Sequence, residues 1–530
     1  MRMSSSQPGG SLSIPTSSEA RPAFAPSGRF WRAAAAAGTG LVLLATLPVA
    51  ATAATAVAAA AQEPAASAAA PASPAAETPP LAAMQPLPDD VVEGATALRD
   101  AALKGTKAQS IVESLTTEVG PRSAGSPGDS LAVAWALRTL KELGFSNVHA
   151  EKVTVPHWDR GAESGEIVAP YRQRVALAAL GGSVGTSPAG LEATVVEVAN
   201  LEELGKLSAA QVTGRIVFFN TPTERRRDED GYGKAVRVRA SGPSQAAKLG
   251  AVAVVLRSIG TDSNRLPHTG ATRYAEGVRR IPAAALSSPD ADLLAAEIKS
   301  GKPVRFRLKL GCRTLPPAES ANVIGEIPGS DSSPEIVLLG AHLDSWDLGT
   351  GAIDDGAGVA IVTETARRIG ELKTKPHRTL RVVLFANEEF GLSGALAYAK
   401  AHAAELPHHV LALESDLGSG RVWRLESRIA LEEIGRMRDF NQLVFPLGVT
   451  SGGNLGDGGA DVGPLLGAGV PTLALMQDAT NYFDFHHTAN DTLDKVNARD
   501  LDYNVAAWTA IVYAVANMPG DLGRVKMDAK

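Results

Sequence analysis

EIVLLGAHLDSWDLGTGAIDDGAG, residues 335–358, begins with an unbroken apolar run, Ile336–Ala341, and turns abruptly into His342, Asp344, Asp354 and Asp355. A strand that is apolar on consecutive residues is buried on both faces, as in an α/β sheet covered by helices. The pattern repeats outward. LRVVLFA (380–386) ends in Asn387-Glu388-Glu389, VLALES (410–415) ends in Asp416, and TLALM (472–476) is followed by Phe485-His486-His487-Thr488. Between these runs VAIVTETARRIGEL (359–372) and SGALAYAKAHAAEL (393–406) read as helices, and a closing helix is expected around Asn504–Val515. Ligands of open α/β sheets bind at the carboxyl ends of the strands. The histidines and acids are therefore expected on one edge of one sheet, although they are far apart in sequence.

Taken singly, each feature has a plain structural reading. A histidine at a strand end is commonly a hydrogen-bonded loop residue, and adjacent acids such as Glu388 and Glu389 are commonly a solvated pair. Here the acids directly follow buried strands, where unpaired charge costs several kcal/mol, and no Lys or Arg lies within the motifs to neutralise them. A mixture of imidazole and carboxylate is what zinc accepts. His342, Asp354, Glu389, Asp416 and His487 supply five protein ligands, too many for one open catalytic zinc. If one carboxylate bridges two ions, each ion receives three protein ligands and keeps a place for water. Glu388 is then left over, and it suits a general base in a hydrolysis.

The rest of the chain fits around this half. Among 530 residues, 51 Lys and Arg stand against 57 Asp and Glu, so no basic field marks nucleic acid as a partner. The only cysteine is Cys312, which excludes an intrachain disulfide and a Cys-built zinc site. Residues 1–61 carry Arg2, Arg21, Arg29 and Arg32 ahead of the uncharged run Ala33–Ala61. They read as a signal peptide for export to the periplasm or outside, the alternative being an uncleaved anchor. Residues 62–88 are an Ala/Pro-rich linker. Residues 89–160 read as helices followed by an alternating strand, SNVHAEKVTVPHW. From 161 to 312 short Val/Ile/Leu runs sit between Gly, Pro and Asn clusters, with SQAAKLG and DADLLAAEIKSG the only helical patterns. This segment reads as a β-rich insertion, free of His and carboxylate clusters, into a catalytic domain that resumes at 313 and runs to 530.

GAHLDSWDLGTGAIDDGAG, FANEEFGLSGALAY, ESDLG and FDFHHTANDT together resemble the co-catalytic di-zinc peptidases, the family of bacterial aminopeptidases and glutamate carboxypeptidases. The similarity is greatest to its carboxypeptidase Q branch and extends upstream to VGPRSAGSPG and LGFSNVHAEKVTVPHWDRG. The resemblance implies an α/β zinc-peptidase fold, a mixed sheet covered by helices, with an inserted protease-associated domain. It implies two zinc ions per chain, one held by His342 and Asp416, the other by Glu389 and His487, with Asp354 bridging. Glu388 would be the general base to a hydroxide between the ions, Asp344 would orient the His342 imidazole, and Asp355 would brace the loop. His487 is preferred over His486 because it stands immediately before Thr488. GGADVGPLLGAGVP (458–471) matches a loop near the substrate, which makes Asp461 a candidate contact. Ala460-Asp461-Val462 departs from the Ser-Asp-His-like loop of many aminopeptidases and favours the branch that takes dipeptides with free termini. Arg122 could meet a substrate carboxylate or serve as a structural arginine. Stepwise trimming of longer peptides as a broad aminopeptidase is the alternative, and a non-catalytic, receptor-like binding protein is the reading from another class. The resemblance also implies a homodimer.

Overall fold

The computed structural model describes residues 86–330 and 334–526. The expected signal peptide and nearly all of the expected linker lie outside the described residues. Strands in chain order are β1 (Ser146–Asp159), β2 (Glu163–Ala169), β3 (Gln173–Val175), β4 (Leu177–Ala179), β5 (Leu191–Val198), β6 (Ile216–Phe219), β7 (Ala253–Arg257) and β8 (Ala283–Leu286). These are followed by β9 (Arg305–Leu310), β10 (Arg313–Ile327), β11 (Ile336–His342), β12 (Thr379–Phe385), β13 (His409–Glu414), β14 (Val422–Arg428), β15 (Thr450–Ser451) and β16 (Thr472–Gln477). They form two eight-stranded sheets, β1-β10-β12-β11-β13-β16-β14-β15 and β3-β2-β9-β5-β6-β7-β8-β4.

The first sheet is mixed. Its centre, β12-β11-β13-β16, is parallel, and every residue of β11 and β13 is buried. The consecutive apolar residues are the cause, because helices cover both faces. Asp89–Ala102, Ala108–Glu118, Ala357–Gly370 and Ala498–Asn517 share one core with the sheet, and Ser393–Ala401 packs on the other side through Ala395 and Tyr398. From Val505 onward Ala498–Asn517 is apolar almost all round and correspondingly buried, with Trp508 fully enclosed. Register aligns the carboxyl ends of the strands: His342 stands opposite Phe385, and Gly340 opposite Glu414. The loops leaving β11, β12 and β13 therefore start at one level.

The chain leaves this sheet at Asp159 and returns directly opposite at Arg313, where the two side chains form an ion pair of 2.5 Å. The second sheet is built wholly from residues 163–310. It is more helical than its β-rich texture suggests. Strands β5 to β8 run parallel, and Asp230–Lys248 is a 19-residue helix of which only the end, SQAAKLG, was legible. Gly231, Gly233, Gly242 and Pro243 lower its intrinsic propensity, so tertiary packing decides it. Gly242 allows the helix to approach β6, since a Cβ there would lie 2.9 Å from the Phe219 ring. Among the described residues no helix is long and apolar enough to cross a membrane.

Candidate metal centre and active site

His342 ends β11, Asp354 and Asp355 lie in the tight turn that starts the Ala357–Gly370 helix, Glu388 and Glu389 follow β12, and Asp416 follows β13. His487 lies in the loop after β16 with φ +59. The fold brings these residues together. Asp354 Oδ1 lies 3.1 Å from His342 Nε2, and Asp416 Oδ1 lies 3.4 Å from the same nitrogen. Asp354 Oδ2 lies 3.2 Å from His487 Nε2, which is 2.9 Å from Glu389 Oε2. The two oxygens of one carboxylate thus face two separate histidine–acid pairs. Ligands around a tetrahedral zinc with bonds of about 2.0 Å stand about 3.3 Å apart, so the donor atoms fit zinc in both spacing and chemistry. Glu389 Oε1 is buried with no hydrogen-bond partner, as a donor awaiting a cation would be.

The electrostatics point the same way. Burial pushes the Glu389 carboxyl well above its usual range, reinforced by Asp354 and Glu388. Glu388 is half-buried, and its carboxyl is raised to about 8 by desolvation, which His342 opposes and Asp416, Asp344 and Asp354 reinforce. Burial works against ionised Asp354, yet His486, His342 and His487 hold its carboxyl well below the usual range. Burial lowers His487 to about 4, which leaves a neutral imidazole whose lone pair is free for a metal. Such crowding of like charge in a low-dielectric site is relieved by bound dications.

His486 is not a surface residue. It is buried, stacks on His487 at 3.6 Å and approaches Asp354 Oδ2 at 3.5 Å, farther than His487 and without the contact to Glu389. Its Nδ1 pairs with His268 Nε2 at 3.0 Å.

The expected supporting roles are redistributed. His342 Nδ1 pairs with the Asp344 backbone carbonyl at 3.0 Å, while the Asp344 carboxylate is 3.7 Å away. That carboxylate accepts instead from the Glu388 backbone N–H at 3.0 Å and so holds the Glu388 backbone rather than the imidazole. Asp355 accepts from the backbone N–H groups of His342 and Gly358. Asp461 does not reach a substrate surface. It is 0% exposed, and its backbone N–H donates to Glu414. Arg122 is also fully buried and donates to the carbonyls of Leu343 (2.5 Å), Thr350 (2.8 Å) and Gly351 (2.9 Å), so it clamps the metal loop.

Other supports had no place in the sequence reading. Asp491 accepts from the N–H groups of Ile353 (2.6 Å) and Asp354 (3.2 Å). Trp346 Nε1 donates to Glu389 Oε2 at 2.5 Å. The 161–312 segment, read as free of His and carboxylate clusters, sends His268 against His486 and Arg239 Nη1 to 3.4 Å from His487 Nδ1. Arg239 also donates to the Tyr232 hydroxyl at 2.6 Å, and Tyr232 stacks on Phe483. Asp491 and Trp346 lie inside stretches already singled out. His268, Arg239 and Tyr232 carry no local signal.

Residues 322–512 match peptidase family M28. Carboxypeptidase Q of Mus musculus is 36% identical over 410 residues, covering 77% of this chain and 86% of that protein. The chain belongs to peptidase family M28. Carboxypeptidase Q of Xenopus laevis is 37% identical over 406 residues, 77% of this chain and 85% of that one. The crystal structure of a peptidase M28 precursor from Shewanella amazonensis superposes with a TM-score of 0.81 at 47% identity, covering 83% of this chain and 100% of that one. A zinc aminopeptidase from Bacillus subtilis, 20% identical with a TM-score of 0.57 over 80% of this chain and 98% of its own, shares the fold. Membership makes this chain a peptidase of the M28 family.

Proposed function

We propose that the chain is an exported di-zinc exopeptidase of short peptides, above all of dipeptides with both termini free. The observation that carries this is Asp354, whose two oxygens face separate histidine–acid pairs. His342, Asp416 and Asp354 Oδ1 would hold one zinc, and His487, Glu389 and Asp354 Oδ2 the other. Bound zinc polarises a carbonyl and lowers the pKa of water. Glu388, fixed through its backbone by Asp344 and left outside both donor sets, takes the proton of the attacking water and returns it to the leaving amine. A carboxyl raised toward neutrality suits both transfers.

The segment 161–312 is a protease-associated-like insertion. Its approach to the histidines through Arg239 and His268 favours small substrates, because it walls one side of the centre.

The test is product analysis with the zinc-loaded mature protein on free dipeptides, N-blocked and C-blocked dipeptides, and pentapeptides. Cleavage of free dipeptides alone is expected. Stepwise trimming of pentapeptides and C-blocked substrates would make the chain a broad aminopeptidase, and no cleavage by a protein holding two metals would overturn the peptidase reading of the site.

A further inference from the structure

Trp346, in the loop leaving β11, is buried and donates from its indole Nε1 to Glu389 Oε2 at 2.5 Å. Its ring also packs near His487, with centroids 5.5 Å apart. One side chain thus meets both members of one histidine–acid pair. His342, in the other pair, is held from its own loop, by the Asp344 carbonyl on Nδ1 and by the Asp355 carboxylate on its backbone N–H.

The position of the indole is set from the insertion. A Cβ on Gly181 would lie 2.0 Å from Trp346 Cη2 and 2.6 Å from Cζ3, so the far edge of the ring rests on bare backbone. Gly181 is fixed in turn, because its N–H donates to the Gly270 carbonyl at 3.0 Å. The neighbouring residue, Asp347, is clamped by the buried Arg160, whose Nε and Nη2 each donate to one carboxylate oxygen at 2.7 Å. Arg160 Nη1 donates to the Ala179 carbonyl at 2.7 Å, which ties the clamp to the strand just before Gly181. The Thr269 N–H, also from the insertion, donates to the His487 carbonyl at 2.9 Å. A ring packed on one edge and anchored through the next residue has little freedom to turn its N–H elsewhere.

We propose that Trp346 is the positioning residue for one metal ion alone, that of Glu389 and His487, and that the insertion sets it through Gly181 and the Arg160–Asp347 pair. The inference rests on the di-zinc reading above and adds a division of labour to it. One ion depends on the loops of the sheet itself, and the other depends on the insertion as well. A fixed donor that orients a ligand carboxylate is worth about 10–100-fold in metal affinity.

The experiment titrates zinc into the metal-free full chain against a competing chelator, with metal content by elemental analysis. Native protein is compared with Trp346→Phe, Gly181→Ala and the double variant. Phenylalanine keeps a ring and removes the N–H. Trp346→Phe should weaken one zinc equivalent about 10–100-fold and leave the other unchanged. Gly181→Ala should weaken the same equivalent, because its methyl displaces the indole. The double variant should be no weaker than Trp346→Phe, since the smaller ring leaves room for the methyl. Trp508→Phe, in the core helix Ala498–Asn517, removes another buried indole and should change neither equivalent. Unchanged affinity in Trp346→Phe, or equal weakening of both equivalents, overturns the assignment and leaves the di-zinc reading standing. Additive losses in the double variant overturn the part given to the insertion. If the native chain binds a single zinc, the di-zinc reading fails and that ion decides the proposal: weakening in Trp346→Phe supports it, and no change overturns it. A native chain that binds no zinc overturns both.

Discussion

Replacing Asp491 by Asn removes little volume but reverses a hydrogen-bond requirement. In the native structure Oδ1 accepts from the Ile353 N–H at 2.6 Å and Oδ2 from the Asp354 N–H at 3.2 Å, both buried. An amide offers one acceptor and one NH₂ group, so one backbone N–H would face another donor. The lost charge-assisted hydrogen bond amounts to about 1.5–3 kcal/mol. Those N–H groups hold the backbone that carries Asp354, so the cost falls on the geometry of a residue facing both donor sets. A loss of about 2 kcal/mol corresponds to about 30-fold in affinity, within the 10–100-fold range for residues that support metal ligands. Zinc titration against a competing chelator measures it, with metal content by elemental analysis. Both bound equivalents should weaken together, while Asp494→Asn, on the exposed side of the same loop, changes nothing. Unchanged affinity, or weakening of one equivalent only, would refute the assignment of Asp491 as the brace of a bridging carboxylate.

Glu388→Gln should keep both metals and lose about 10²–10⁴ in kcat; substantial turnover by that variant removes Glu388 from the proton transfers. Arg122→Met should cost about 3–5 kcal/mol in urea unfolding, because three buried carbonyls lose their donor; a loss below about 1 kcal/mol would contradict the clamp. His402 lies 2.8 Å from Glu151 and 3.1 Å from Glu405, and the Glu151 hydrogen bond leads the interactions that raise its pKa. A raised imidazolium contributes fully below the unfolded value of about 6.5 and is lost as pH rises through the higher folded value. His402→Gln should therefore destabilise by about 1 kcal/mol more at about pH 5.5 than at about pH 8.5, and a pH-independent difference in urea unfolding would count against the ion pair.

The catalytic sheet was legible because its central strands are apolar on consecutive residues, which only a doubly covered strand explains. Its outer strands were not. VWRLESR in β14 alternates and is half-exposed, and Thr450–Ser451 in β15 is too short to leave a pattern. In the site, His342, Glu389 and Asp416 stood out because they end or closely follow buried strands, whereas Asp354 and His487 lie farther on, in the loops after β11 and β16. What the sequence obscured was which atom does the supporting. Asp344 touches His342 through its carbonyl and the Glu388 backbone through its carboxylate, and no spacing rule separates these. Asp461 illustrates the opposite failure, an acid in a glycine-rich loop that suggests exposure yet packs beside Glu414.

The long-range part was illegible for a physical reason with consequences for the insertion. Asp344, Asp354, Asp355, Glu388, Glu389 and Asp416 converge in one buried centre, and the motifs that carry them contain no Lys or Arg. Positive charge from the protein arrives through Arg122, below the loop, and Arg239, from a helix of the insertion. Arg239 could not be found by periodicity, because its helix contains three glycines and a proline and its partner His487 lies 248 positions away. Its guanidinium stands at the nitrogen of His487 opposite the one facing Asp354 and Glu389, so it acts on the orientation of that ring. Cutting the chain at Asp159 and Arg313 would remove Arg239 and His268 together. The insertion therefore supports the histidine side of the candidate site: without it His487 loses a polar neighbour and His486 loses its hydrogen-bond partner.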